Sequence, residues 1–184
     1  MLLVSRSAVV ASAVAVVVAS VGVAAAPVAA DPGSMSAGQL SVPRSALAGW
    51  SVSGPDAEGA VVASVRLPGK SWTSQIELGP TRDGRSSRDA AWAIAVNAPA
   101  APGCAKQKAH LVGLQITSTT VSGVPATRAV GEVRIDGGPV RGDRLRVTVV
   151  DTKPQSYFVS AVPFEAADRI AQADAAERGL TVNR

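Results

Sequence analysis

From Val112 to Val162 the chain alternates apolar and polar side chains in segments separated by turn residues. Leu114, Ile116 and Ser118 share one side of the first segment. In the second, Val133 and Ile135 alternate with Glu132 and Arg134. In the third, Leu145, Val147 and Val149 alternate with Arg144, Arg146 and Thr148, and Ser156 to Val162 forms the fourth. Ser122-Gly123, Asp136-Gly137-Gly138-Pro139 and Thr152-Lys153-Pro154-Gln155 punctuate them. A period of two sends successive side chains to opposite faces of a strand, so the pattern predicts a four-strand antiparallel meander packed on one face. Three shorter strands precede it: Trp50 to Ser53, Ala60 to Leu67 with Val61, Ala63, Val65 and Leu67 on one side, and Ser74 to Leu78. They stop at Gly54-Pro55, Pro68-Gly69 and Gly79-Pro80 respectively.

Two segments carry helical signals instead. Ser86 stands three residues before Asp89, a capping pattern, and good helix formers follow from Ala90 to Val96, with Pro99 beyond Asn97. Trp92 and Val96 share a face four residues apart, which predicts Trp92 in the core. The second helix is predicted over Pro163–Arg178. Proline suits the first helical position and Gly179 the residue just past the end. Glu165 and Arg178 suit the dipole at its two ends, and Glu165 with Arg169 and Asp174 with Arg178 are four apart. Phe164, Ala167, Ile170 and Ala171 form the apolar stripe, and Leu180-Thr181-Val182 resumes an extended chain. Strand runs with few helices predict an α+β domain, its antiparallel sheet covered by helices.

The front of the chain reads differently. Met1 to Arg6 carries one positive charge, Ala8 to Ala26 carries none and is nearly all Ala and Val, and Val28-Ala29-Ala30 places small residues before Asp31. This is the secretory pattern, with cleavage expected after Ala30. Cleavage after Ala26 is disfavoured because Pro27 would follow the cut. The stretch nearly reaches the ~20 residues of an uncleaved anchor, but alanine is weakly hydrophobic. A single arginine does not make a twin-arginine signal, and no cysteine stands at the cut to carry an acyl anchor. The chain then divides into a signal peptide at 1–30, a flexible Gly/Ser/Pro-rich segment at 31–42 and one domain at 43–184. The mature form is expected to be secreted or associated with the cell envelope, not membrane-spanning, and monomeric.

Composition narrows the chemistry. The 184 residues carry a net charge of +4, which falls to +3 without residues 1–30. That balance suits anionic envelope polymers and is too small to argue for nucleic acid. Cys104 is the only cysteine, so the fold is held by its core; a thiol in the loop around Pro102-Gly103 is open to pairing between chains. One histidine, His110, lies beside lysines in Lys106-Gln107-Lys108-Ala109. No Gly-x-Ser-x-Gly elbow, phosphate-binding loop or dinucleotide glycine pattern occurs. One His and one Cys do not make a structural zinc site, so neither metal nor cofactor is expected. The carboxylates are scattered over turns and the last helix. An enzyme is not expected; the alternative is a secreted hydrolase using His110 or a carboxylate pair. Arg141-Gly142-Asp143 matches a cell-adhesion tripeptide but serves equally as hairpin punctuation. Arg82, Arg85 and Arg88 form one arginine cluster. Arg141, Arg144 and Arg146 form another, suited to bidentate contact with an anionic group, and Trp72 is placed to line a ligand groove.

Several of these features together resemble a known family. Val124-Pro125-Ala126 after Gly123, two strands joined by a glycine-rich turn, Tyr157-Phe158-Val159, and a last helix running into Leu180-Thr181-Val182 are similar to the Mog1/PsbP-like family. The LpqN type of actinobacterial secreted proteins shares that fold, and Gly49-Trp50 after Pro43 is similar to its opening segment. The resemblance covers residues 43–182. It departs from LpqN-type lipoproteins in lacking a cysteine at the cut and in its few aromatics. It implies an α/β/α sandwich without catalytic residues, acting by binding an envelope lipid, an anionic glycan or an envelope protein. Trp72, Arg141, Arg144 and Arg146 are the ligand-binding candidates.

Overall fold

The computed structural model describes residues 33–82, 84–101, 104 and 107–183; the export segment expected at residues 1–30 lies outside them. The chain runs through β1 (Ser34–Ala37), β2 (Leu40–Pro43), β3 (Ser51–Ser53), β4 (Val61–Arg66) and β5 (Thr73–Pro80). It continues through α1 (Ser87–Asn97), β6 (Lys108–Val121), β7 (Val124–Asp136), β8 (Gly142–Val150) and β9 (Ser156–Pro163), and ends in α2 (Ala167–Arg178) and β10 (Thr181–Val182). Seven strands form one sheet in the order β3-β4-β5-β9-β8-β7-β6, and β1, β2 and β10 form a second. Every pairing is antiparallel.

Alternation decides the layers. Leu145, Val147 and Val149 face α1, whose Ala90, Ala91 and Ala95 are small enough to let the helix sit close to the sheet. Ile76, Leu78, Phe158 and Val162 project from the other face into a second core, against Met35, Leu40 and Val42 of the small sheet and Ala173 and Ala176 of α2. The result is an α+β domain with helices on both faces of an antiparallel sheet, the α/β/α layering the sequence implied. The meander forms as expected through β6, β7, β8 and β9, with one bulge between Val112 and Gln115. Ser86 caps α1 as expected: its Oγ accepts from Asp89 N at 3.1 Å and donates to Asp89 Oδ2 at 2.7 Å.

Four expectations are corrected. Residues 34–42, expected in a flexible segment, are a hairpin: Met35, Leu40 and Val42 are buried, and Gly38 at φ +57° makes the two-residue turn with Gln39. Pro163 does not open a helix. It ends β9 opposite Asp143, and α2 starts four residues later. Trp92 and Val96 do share a face of α1, but it is the outer one, because the alanines hold the inner one; Trp92 is 52% exposed. The helical pairs are also redirected. Glu165 meets Arg141, Arg169 meets Asp168, and Asp174 meets arginines of the sheet.

Candidate functional site

The meander arginines reach different surroundings. Arg144 and Arg146 leave β8 on the face that α2 covers, where the expected solvent-facing polar row becomes an interface. Arg146 Nη1 donates to Glu177 Oε2 at 2.7 Å, and Arg128 Nε and Thr148 Oγ1 both donate to Glu177 Oε1 at 2.7 Å. Burial pushes the Glu177 carboxyl upward, but the hydrogen bonds from Thr148 and Arg146 and the charges of Arg128 and Arg146 outweigh it, and the group lies below the usual carboxylate range. Asp174 completes the network, 3.6 Å from Arg144 Nη1 and 3.0 Å from Arg146 Nε. The latter contact is Coulombic only: that N–H is buried and misaligned for a hydrogen bond. Between these arginines and α2 the layers close without room for a water molecule.

Arg141 is the exposed member of the group. Its backbone N and its Nε donate to Glu165 Oε1 at 3.1 and 3.2 Å. Burial pushes the Glu165 carboxyl up, and the hydrogen bonds from Arg141 and from the Glu165 backbone pull it down further, below its ordinary value. Trp72 lies at the same end of the sheet, its indole Nε1 donating to Asp143 Oδ1 at 3.0 Å. Asp143 is buried. Desolvation, opposed by the Trp72 hydrogen bond and aided by the charge of Glu165, lifts its pKa to about 6. Cys104 is buried nearby, and burial together with the Asp143 charge pushes its thiol up to about 11, so it is poorly suited to forming a bridge between chains. Gly142-Asp143 opens β8 with Asp143 turned inward, which leaves the Arg-Gly-Asp tripeptide without an exposed acid. His110 is exposed on β6 opposite Arg134, and among the described residues no carboxylate or nucleophile hydrogen-bonds to it.

A half-buried carboxylate paired with a phenol lies on the opposite half of the sheet. Tyr157 crosses from β9 over Gly79, where a Cβ would stand 2.7 Å from the phenol oxygen, and its Oη donates to Glu77 Oε1. Desolvation raises the Glu77 carboxyl against the pull of that hydrogen bond, with the charge of Asp56 adding to the rise. Desolvation and the Glu77 charge likewise raise Tyr157.

A concavity lies where α2 begins. A cavity of about 240 Å³ opens between β4, β5 and the first turn of α2, lined by Arg66, Ser74, Glu165, Ala166, Asp168 and Arg169 among others. Ser74 projects from β5 and is only 1% exposed, and among the described residues no hydrogen-bond partner meets its hydroxyl. Ala166 supplies no side-chain cap, so the N–H groups of Ala167, Asp168 and Arg169 precede the first helical hydrogen bond, from Ile170 N to Ala166 O at 2.9 Å. Arg169 is fixed by hydrogen bonds to Ala48 O at 3.0 Å and to Gln172 Oε1 at 2.7 Å. Of the candidates read from sequence, Trp72 and Arg141 approach this end of the domain through their acidic partners, while Arg144 and Arg146 are committed beneath α2. Ser74 and Arg66 were not singled out; the only sequence signal at Ser74 is a polar residue on the apolar side of a strand.

No family model and no curated protein matches the sequence. Among solved structures, the chain is similar to the solution structure of cyanobacterial PsbP (CyanoP) from Synechocystis sp. PCC 6803. The TM-score is 0.41 at 8% identity, over 72% of this chain and 92% of that one. The layer order above establishes the α+β sandwich independently of that likeness.

Proposed function

We propose that the exported chain is a non-enzymatic binding module of the cell envelope that takes a small polar ligand at the start of α2. The observation that carries this reading is the cavity of about 240 Å³, lined by Ser74 of β5 and by charged side chains of β4 and of the start of α2. The lining of arginines and carboxylates supports a polar ligand over an acyl chain. Envelope placement rests on the pattern of residues 1–30, and an LpqN-type role rests on the sequence resemblance. For the rival hydrolase reading, His110 has no described acid or nucleophile at hydrogen-bonding distance, which leaves a carboxylate pair as its remaining form. Native mass spectrometry of protein purified from its own envelope tests the proposal. A retained small polar molecule, kept in His110→Ala, supports it. An apo mass together with no cross-linked envelope partner refutes it.

A further inference from the structure

We infer that the ligand of this cavity is an α-amino-acid-type zwitterion, an assignment that rests on the binding reading above. The lining carries both signs of charge. Arg66 lines the cavity with no ion-pair partner among the described residues, Ser74 lines it from β5, and Ala166, Asp168 and Arg169 bring the start of α2, the positive end of the helix dipole, to its wall. These donors suit a carboxylate. Glu165 and Asp168 lie on the same wall. Glu165 is held ionised by the hydrogen bonds from Arg141, and only its Oε1 is used by them. Asp168 is largely exposed, with Arg169 Nε a loose 3.5 Å away. Two carboxylates with spare acceptor capacity suit an ammonium. A simple anion would meet the donors but lie against two negative charges, and a simple cation would meet the acids but lie against Arg66 and Arg169. A ligand carrying both charges on groups bonded to one carbon satisfies each set at once. The volume of about 240 Å³ is on the small-molecule scale.

The assignment is tested by titrating the exported protein with alanine, serine and glutamine, and separately with acetate and methylammonium, following backbone amide resonances by NMR. At least one amino acid should move the Ser74, Ala166 and Asp168 resonances and bind at least tenfold more tightly than acetate or methylammonium. Ser74→Ala and Arg66→Gln should each weaken it about tenfold. Arg66 is exposed, so R66Q keeps the test valid should S74A fold poorly. Acetate or methylammonium binding as tightly as any amino acid overturns the zwitterion assignment and leaves the small-polar-ligand reading standing. No shift at the cavity with any probe overturns both.

Discussion

Asp143→Asn should stabilise this protein at neutral pH, which is the reverse of what replacing a buried, hydrogen-bonded aspartate ordinarily does. Asp143 is almost fully buried and has one hydrogen bond, from Trp72 Nε1, against the cost of desolvating its charge. Its pKa rises from 3.8 to about 6. Between those values the folded chain holds a proton that the unfolded chain has released, so stability falls by about 1.4 kcal/mol for each pH unit climbed. Below the window both states are protonated and the cost disappears. Above it the full cost applies, on the order of 3 kcal/mol for a two-unit gap. Asparagine keeps an oxygen to accept from Trp72 and removes the charge. At pH 7.5 the variant should therefore gain up to about 3 kcal/mol, and a domain of this size then melts about 6–12 °C higher. At pH 4, near the lower edge of the window, the gap should shrink to about 0.5 kcal/mol. Denaturant titrations followed by tryptophan fluorescence at pH 4, 5, 6 and 7.5 measure the difference directly. Taking that difference removes the opposite-signed contributions of Glu165 and Glu177, whose lowered pKa values make them stabilising above the ordinary carboxylate range and less so as acid protonates them. A variant curve parallel to the wild type across this range, or below it at pH 7.5, refutes the reasoning.

Three further outcomes follow from the packing. Glu177→Ala removes the acid that pairs Arg128 and Arg146; Arg146 stays buried and Arg128 rehydrates in part, so the loss should be near the low end of the range for a broken buried pair, about 3 kcal/mol by chemical denaturation. Gly79→Ala drives a methyl into the Tyr157 ring and should cost about 1–3 kcal/mol and change the near-ultraviolet circular dichroism, whereas an unaltered spectrum would mean that the ring has room to spare. Cys104 should resist iodoacetamide in the folded protein at pH 8 and react on unfolding, as intact mass will read; rapid native labelling would show the thiol to be accessible.

Much of the architecture was legible because it rests on local rules. The meander strands carry unbroken period-two patterns between strong turns, and the Ser86 cap needs only residues within one turn. What was not legible depends on distant partners. Arg144 and Arg146 look like a solvated row until α2 lies across them and brings Glu177 and Asp174, the latter assigned by local spacing to a pair with Arg178. Trp92 was misplaced because helical spacing identifies residues that share a face but not which face is inner. Here the alanines, not the tryptophan, fit against the sheet. Pro163 is compatible with the first turn of a helix or with the last position of a strand, and pairing with β8 decides between them. The cavity was the least visible feature, since Ser74, Arg66 and the first turn of α2 are separated by up to a hundred residues and none carries a motif.

The hairpin at the front of the domain has a consequence for the order of folding. β2 finds β1 across a two-residue turn, but its other neighbour, β10, and the hydrogen bond from Ser41 to Asn183 lie 142 residues away in the chain. The small sheet thus fastens the two ends of the domain to each other, and its last strand exists only once nearly the whole polypeptide is available. Closing so long a loop has a high entropic cost and comes late. A polypeptide emerging from its first residue onward therefore stays open at this seam until the end, and the second core is sealed only when residues 181 and 182 arrive.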